Sequence, residues 1–325
     1  TCLPHWVLPL HMKYGYYPDQ GWELAIDYRH TFKNGLHFGV TASVADDKTE
    51  VTKWTYNTKI PSYGATGWWD KSAYKEGMVL GDIWGLQFDR FLTEDDFNAD
   101  GSLKAGLPDQ TKVFPAGYQF APGDVLYKDL DNNGEIVKQT NTNDKGDLSV
   151  IGNALPRLQF GLNLDAAWKG FDISMFFQGV AKRKLWAAGN QVLPGFTTGE
   201  PFYKGAEDYW TPENTDAFYP RPMDYQQSAS GNYSVNDRYL LNMAYLRLKT
   251  FTVGYSLPKV WLSKFKVQGL RVYFTGENLF TIDGVKPAID PEIGIRTANG
   301  KSDQRNFGRS YPYQKTVSFG IQLSL

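Results

Sequence analysis

The chain has 325 residues, with 34 basic and 35 acidic side chains, so its formal net charge is −1. That balance offers no basic surface of the kind that grips phosphates, and no nucleic-acid partner is expected. No window approaches 18 consecutive apolar residues, which excludes a membrane helix but leaves open a barrel whose strands merely alternate.

Residues 1–19 carry no charged stretch followed by an apolar one, so no signal peptide is visible, and they do not read as a barrel strand. They are taken as an N-terminal segment apart from 20–325. Cys2 is the single cysteine, which leaves no internal disulfide and no thiolate metal cage. All four histidines, His5, His11, His30 and His37, fall within the first 37 residues. No metalloprotease helix motif, nucleophile elbow, phosphate loop or dinucleotide fingerprint occurs, and no enzyme is expected. Carboxylate pairs are too many for spacing to single one out.

From Trp22 the pattern is one of strands. Trp22, Leu24, Ile26 and Tyr28 alternate with polar residues, and so do Leu36, Phe38, Val40, Ala42 and Val44 across Lys33-Asn34-Gly35. This is a hairpin with one apolar face. Weaker strands are expected at 73–79 and 82–91. Residues 157–168 and 170–181 form a long hairpin about Lys169-Gly170. In 243–255 the apolar parity shifts between Leu248 and Phe251, which predicts a bulge. Strands at 268–279 and 314–325 complete nine.

These strands run to about 10–12 residues, against about 5–6 in ordinary sheets and about 9–11 in tilted membrane strands. Trp22, Tyr28, Trp84, Trp168, Tyr245, Tyr255, Tyr273 and Phe280 sit near strand ends, as interfacial girdles do. Short connections at 31–35, 169–170 and 256–267 alternate with long ones at 47–72, 92–156, 182–242 and 280–313, the asymmetry of an outer-membrane barrel. Nine antiparallel strands leave the first and last pointing the same way. Either 10–17 adds a tenth, or the chain is part of a larger barrel. The polar strand face, with Asn163, Asp165, Asp172, Gln178, Arg247, Lys249, Arg271 and Glu277, would line the lumen.

Two groups in the long loops suggest binding. Asp129, Asp131, Asn133, Gly134 and Glu135 occupy positions 1, 3, 5, 6 and 7 of a calcium loop. Position 12 is Thr140 rather than Glu, so a distant acid such as Asp144 or Asp147 would have to complete a Ca2+ site; the alternative is a turn whose side chains bond their own backbone. Trp68, Trp69, Trp186, Tyr203, Tyr209 and Trp210 offer flat apolar faces for a substrate such as a sugar ring. The alternatives are loop packing and contact with a partner protein.

Several stretches, in order, resemble one family. They are Pro122 through Ile136 (PGDVLYKDLDNNGEI), Ile151 through Arg157 (IGNALPR), and Trp168 through Gly179 (WKGFDISMFFQG). Tyr245 through Lys249 (YLRLK), Gly254 through Pro258 (GYSLP), Gly276 through Thr281 (GENLFT) and Asp290-Pro291-Glu292 follow. Together they are similar to the C-terminal part of the barrel in SusC-like TonB-dependent outer-membrane transporters, the RagA/SusC family. The resemblance covers about residues 20–325. It implies an all-β fold: the last strands of a 22-stranded antiparallel barrel with long extracellular loops, plugged by a domain that this chain does not show. It further implies import of glycans or oligopeptides across the outer membrane, under a SusD-like surface lipoprotein. Energy would come from the TonB complex through an N-terminal motif, also outside this chain. Outer-membrane lipid would surround the wall. The competing readings are a small self-contained porin-like barrel and a secreted β-rich glycan-binding protein or glycosidase.

Overall fold

Alternation of apolar and polar residues can bury nothing by itself, but it can place each strand between two different solvents. The chain uses it in this way. A computed structural model describes residues 11–12, 15–16, 18–54, 76–139, 146–187, 189–196, 202–223, 231–262, 267–286, 289–292, 297–298, 301–302 and 311–324. Among these, seven long strands follow one another in an antiparallel meander. They are β1 (Asp19–Thr31), β2 (His37–Thr49), β3 (Arg157–Trp168), β4 (Phe171–Lys182), β5 (Tyr245–Ser256), β6 (Gly269–Glu277) and β7 (Thr316–Ser324). Thr281–Asp283 adds a short partner to the start of β5.

The register turns single-strand alternation into rows across the sheet. Tyr28, Val40, Leu164, Met175, Phe251, Gly276 and Val317 stand in one row. His30, Phe38, Ala166, Ile173, Val253, Phe274 and Phe319 form the next. Phe274 meets Phe251 and Phe319 edge-on in this belt, with ring centroids 6.1 and 5.3 Å apart. The opposite face carries Asp27, Thr41, Asn163, Asp165, Ser174, Thr252 and Thr275. Ile26 and Phe319 are 56% and 82% exposed, and so wide a contiguous apolar surface calls for lipid rather than water. No helix among the described residues is long and apolar enough to cross a membrane.

The expected bulge is present. Phe176 faces Thr250 and Phe177 faces Leu248, so Lys249 is the extra residue and the apolar parity changes there. At the tip of β3–β4, Lys169 and Gly170 both have positive φ, 51° and 88°, the two-residue turn whose twist matches the strands. Gly254 is required for a steric reason. The Arg271 guanidinium lies over it, on the way from β6 to Asp172 on β4. A β-carbon at Gly254 would come within 2.5 Å of Arg271.

Two expected strands are corrected. Residues 82–91 are split into Asp82–Gly85 and Phe88–Phe91, which pair with Ser149–Asn153 and Val125–Tyr127 outside the main sheet. Of 73–79, the described residues 76–79 form only a bridge from Val79 to Glu50. The physical reason is side-chain size and burial: Ile83, Leu86, Phe91 and Leu92 are covered by protein rather than facing lipid. β2 therefore pairs directly with β3, and the stretch from 50 to 156 is one long connection. Seven is odd, as nine was, so β1 and β7 still run the same way and cannot pair antiparallel with each other.

The deepest core lies in the connections, not in the wall. One cluster gathers Ile83, Leu185, Trp186, Leu193, Tyr239 and Met243. A second gathers Leu86, Phe114, Val125, Tyr127, Ile136 and Trp210. Both draw on residues from the 83–154 and 185–243 stretches, so the two long loops fold as one packed unit at a single end of the sheet.

Candidate functional site

The packed loop unit and the polar face beneath it form the candidate binding region. Its loops are joined by a buried clamp. The Asp124 carboxylate is fully buried. It accepts from Tyr118 Oη (2.9 Å), Arg221 Nε (2.9 Å), Asn232 Nδ2 (2.9 Å) and the Ala121 amide (2.9 Å). Asn232 Oδ1 in turn accepts from the Val125 amide at 2.7 Å. A charge can be buried only when its lone pairs are met in this way. Burial, and then the neighbouring Asp124 charge, hold the Tyr118 hydroxyl well above its ordinary pKa, so it stays a donor. Arg90 forks onto Asp96 at 2.6 and 2.7 Å, and the Thr93 amide adds 2.8 Å. The Arg90 hydrogen bond is the main cause of an Asp96 pKa lowered to about 2.

A second charged group fastens the last connection to the wall. Arg247 on β5 donates to Asp290 Oδ1 and Thr281 Oγ1, each at 2.7 Å. Its other terminal nitrogen lies 3.2 Å from Glu292, which also accepts from Lys249 Nζ at 2.6 Å. The Tyr313 ring lies over both cations, 5.4 Å from Arg247 and 4.9 Å from Lys249. Burial is the largest single influence and would raise the Asp290 carboxyl, but the Arg247 hydrogen bond, the Glu292 and Tyr313 amides and the Arg247 charge together outweigh it, and its pKa is lowered. Lys249, the bulge residue, and Arg247 both reach the Glu292 carboxylate.

The loop aromatics divide. Trp186 and Trp210 are 3% and 7% exposed and belong to the two loop cores. Their faces are covered by protein and are not open to a ligand in this arrangement. Tyr203 and Tyr209 are exposed, as is their neighbour Phe202. Trp68 and Trp69 lie outside the described residues.

In the acidic loop, Asp129, Asp131 and Asp147 offer oxygens all within 4.8 Å of one another. Asp147, distant in sequence, is fully buried and accepts from the Leu130 and Val137 amides, each at 2.7 Å. Asp129 accepts from the Asn133 and Gly134 amides. Asp131 Oδ2 is buried and has no hydrogen-bond partner among the described residues. The Glu135 side chain turns away to Lys112, and Asn133 Oδ1 bonds the Glu135 amide. Thr140 and Asp144 lie outside the described residues.

Sequence reasoning missed the Asp124 clamp and the Arg247 group. Asp290-Pro291-Glu292 is visible as a motif, but nothing in the linear order assigns its carboxylates to cations 43 residues away.

No family model matches the chain. It is similar to TonB-dependent receptor P3 of Formosa agariphila, 26% identical over 317 residues, covering 94% of this chain and 28% of that protein. It is 25% identical to TonB-dependent receptor SusC of Bacteroides thetaiotaomicron over 244 residues, 71% of this chain and 22% of that protein. The structure of the RagAB peptide transporter superposes with a TM-score of 0.62 at 19% identity, over 95% of this chain and 29% of the matched chain. The chain therefore spans less than a third of the proteins it matches. Its fold is a stretch of such a barrel.

Proposed function

We propose that this chain, a stretch of outer-membrane β-barrel of the SusC-like TonB-dependent receptor kind, serves active import of glycans or oligopeptides. The observation that carries the reading is the sheet itself: seven strands between an apolar and a polar face, open at both edges, under a packed loop unit. Residues 20–325 are assigned to the barrel and its loops, and 1–19 to a separate segment. In this reading the plug and the TonB-contacting motif come from the rest of the protein. A SusD-like surface lipoprotein closes over the loops. No covalent chemistry is required, because the work is binding, closure and displacement.

Substrate contact is assigned to Tyr203 and Tyr209, with Trp68 and Trp69, while Trp186 and Trp210 shape the loops that present them. Glycan is the first choice, since exposed rings among polar loop residues suit sugar faces. Oligopeptide is the alternative, and the peptide transporter among the similar structures favours it. A Ca2+ ion is assigned to Asp129, Asp131 and Asp147, because hard oxygen ligands surround the unpartnered Asp131 oxygen. It would brace the 129–147 loop.

The test is uptake of labelled oligosaccharides and oligopeptides by cells that carry the full receptor. Uptake should collapse when the proton gradient is dissipated or the lipoprotein is deleted. Uptake indifferent to both would leave a passive pore, and the reading would fail.

A further inference from the structure

The short-turn end of the sheet carries a pattern that import does not use. The three short connections lie side by side there, because the paired rows ending in Thr31–His37, Trp168–Phe171 and Ser256–Arg271 are neighbours. Among the described residues each carries one exposed lysine: Lys33, Lys169 and Lys259. No Asp or Glu occurs in the described residues of these turns, 32–36, 169–170, 257–262 and 267–268. The nearest acids are on the strands. Asp172 is held by Arg271 at 3.0 Å, and Asp165 faces His37 at 3.5 Å.

Beside each lysine stands an exposed aromatic: Phe32, Trp168 with Phe171, and Trp261. Lys169 Nζ lies 4.5 Å above the Trp168 ring, and the Trp168 indole donates to the Asn34 carbonyl at 3.2 Å, tying the first turn to the second. Between them opens a cavity of about 280 Å³ lined by Gly35, His37, Trp168, Lys169, Phe171 and Asp172 among others. Neighbouring hairpin tips are about 10 Å apart, two strand spacings. The result is a row of cations at the level where aromatics mark the edge of the apolar belt.

We propose that this rim binds anionic phospholipid head groups of the leaflet at the short-turn end. The chemistry is complementary. A lipid phosphate carries charge and acceptor oxygens at that depth, each lysine supplies three donors, and the aromatics sit against the glycerol and upper acyl region. The lysines would fix the depth of the wall and hold selected lipids around it. This rests on the barrel reading but not on what the receptor imports.

The experiment uses the full-length receptor in nanodiscs of equal phosphatidylglycerol and phosphatidylethanolamine, with retained lipid counted after mild detergent stripping. The native protein should retain the anionic lipid preferentially, by about fivefold for each lysine engaged. Joint Lys33→Gln, Lys169→Gln and Lys259→Gln substitution should cut that preference by about fivefold for each lysine replaced, and arginine at the same positions should keep it. Gln at Lys104, Lys204 and Lys286, exposed lysines in the long loops, should leave it unchanged. Equal loss in the turn and loop variants would overturn the proposal. So would no preference in the native protein, or displacement of the lipid by millimolar inorganic phosphate, which would mark a site for free anions. Retention of lipopolysaccharide in place of phospholipid at these lysines would overturn it as well.

Discussion

Asp124 ties three stretches of the loop unit together, because donors from Tyr118 and Ala121, from Arg221 and from Asn232 converge on one buried carboxylate. Removing one partner of a buried pair costs about 3–5 kcal/mol. Asp124→Ala should therefore raise hydrogen exchange across 83–154 and 185–243 while the long strands stay protected; equal exchange in native and variant protein would contradict the clamp. Asp96 predicts an acid response. Its pKa is lowered in the folded state from 3.8 to about 2, chiefly by the Arg90 hydrogen bond. The stabilisation is present above the unfolded value and is lost as pH falls from about 4 toward about 2. Loop exchange measured through that window should rise, and Asp96→Asn should flatten the rise. Trp186 and Trp210 show why single residues are the hardest to read. An aromatic in a polar loop looks the same in sequence whether it meets a ligand or fills a core. Only the fold reveals that Trp186 shares a core with Ile83, and Trp210 with Leu86, across more than 100 residues of chain.

At the scale of elements, the wall is legible because lipid and lumen impose a period of two that the sequence must write out. The parity change between Leu248 and Phe251 brackets the bulge, and the strand pairing places it at Lys249. It also gives a sharp test. Deleting Lys249 keeps Leu246, Leu248, Phe251 and Val253 in phase on the lipid face, so the barrel should still assemble without the Lys249–Glu292 ion pair. Deleting Thr252 puts one half of β5 out of phase and moves apolar side chains into the lumen. The Thr252 deletion should lose the heat-resistant compact band on a gel, whereas the Lys249 deletion should keep it. Two deletions that behave alike would refute the register. Gly254→Val should also lower the folded yield, since its side chain would occupy the path of Arg271 to Asp172. The stretch 82–91 misleads for the opposite reason. Short buried strands in a packed loop unit show alternation too, and their length, four residues each, is not visible through Leu86-Gln87.

For the molecule as a whole, the sheet is a wall with two edges unpaired among the described residues. β1 and β7 each present a row of backbone donors and acceptors to a medium that cannot pair them. They point the same way, so closure requires an odd number of further strands. The loop unit packs over one end of this wall, and the lysine-bearing turns mark the other. A wall, a packed loop end and a lipid-facing belt are in keeping with relatives of which the chain spans 28% or less. The direct test is the intact mass of the denatured polypeptide carrying this sequence, extracted with detergent from outer membranes. A mass several times that of these 325 residues is the predicted result, placing the missing strands in the same chain. A mass matching these residues alone, or recovery of the protein in the detergent-free soluble fraction, would contradict the account.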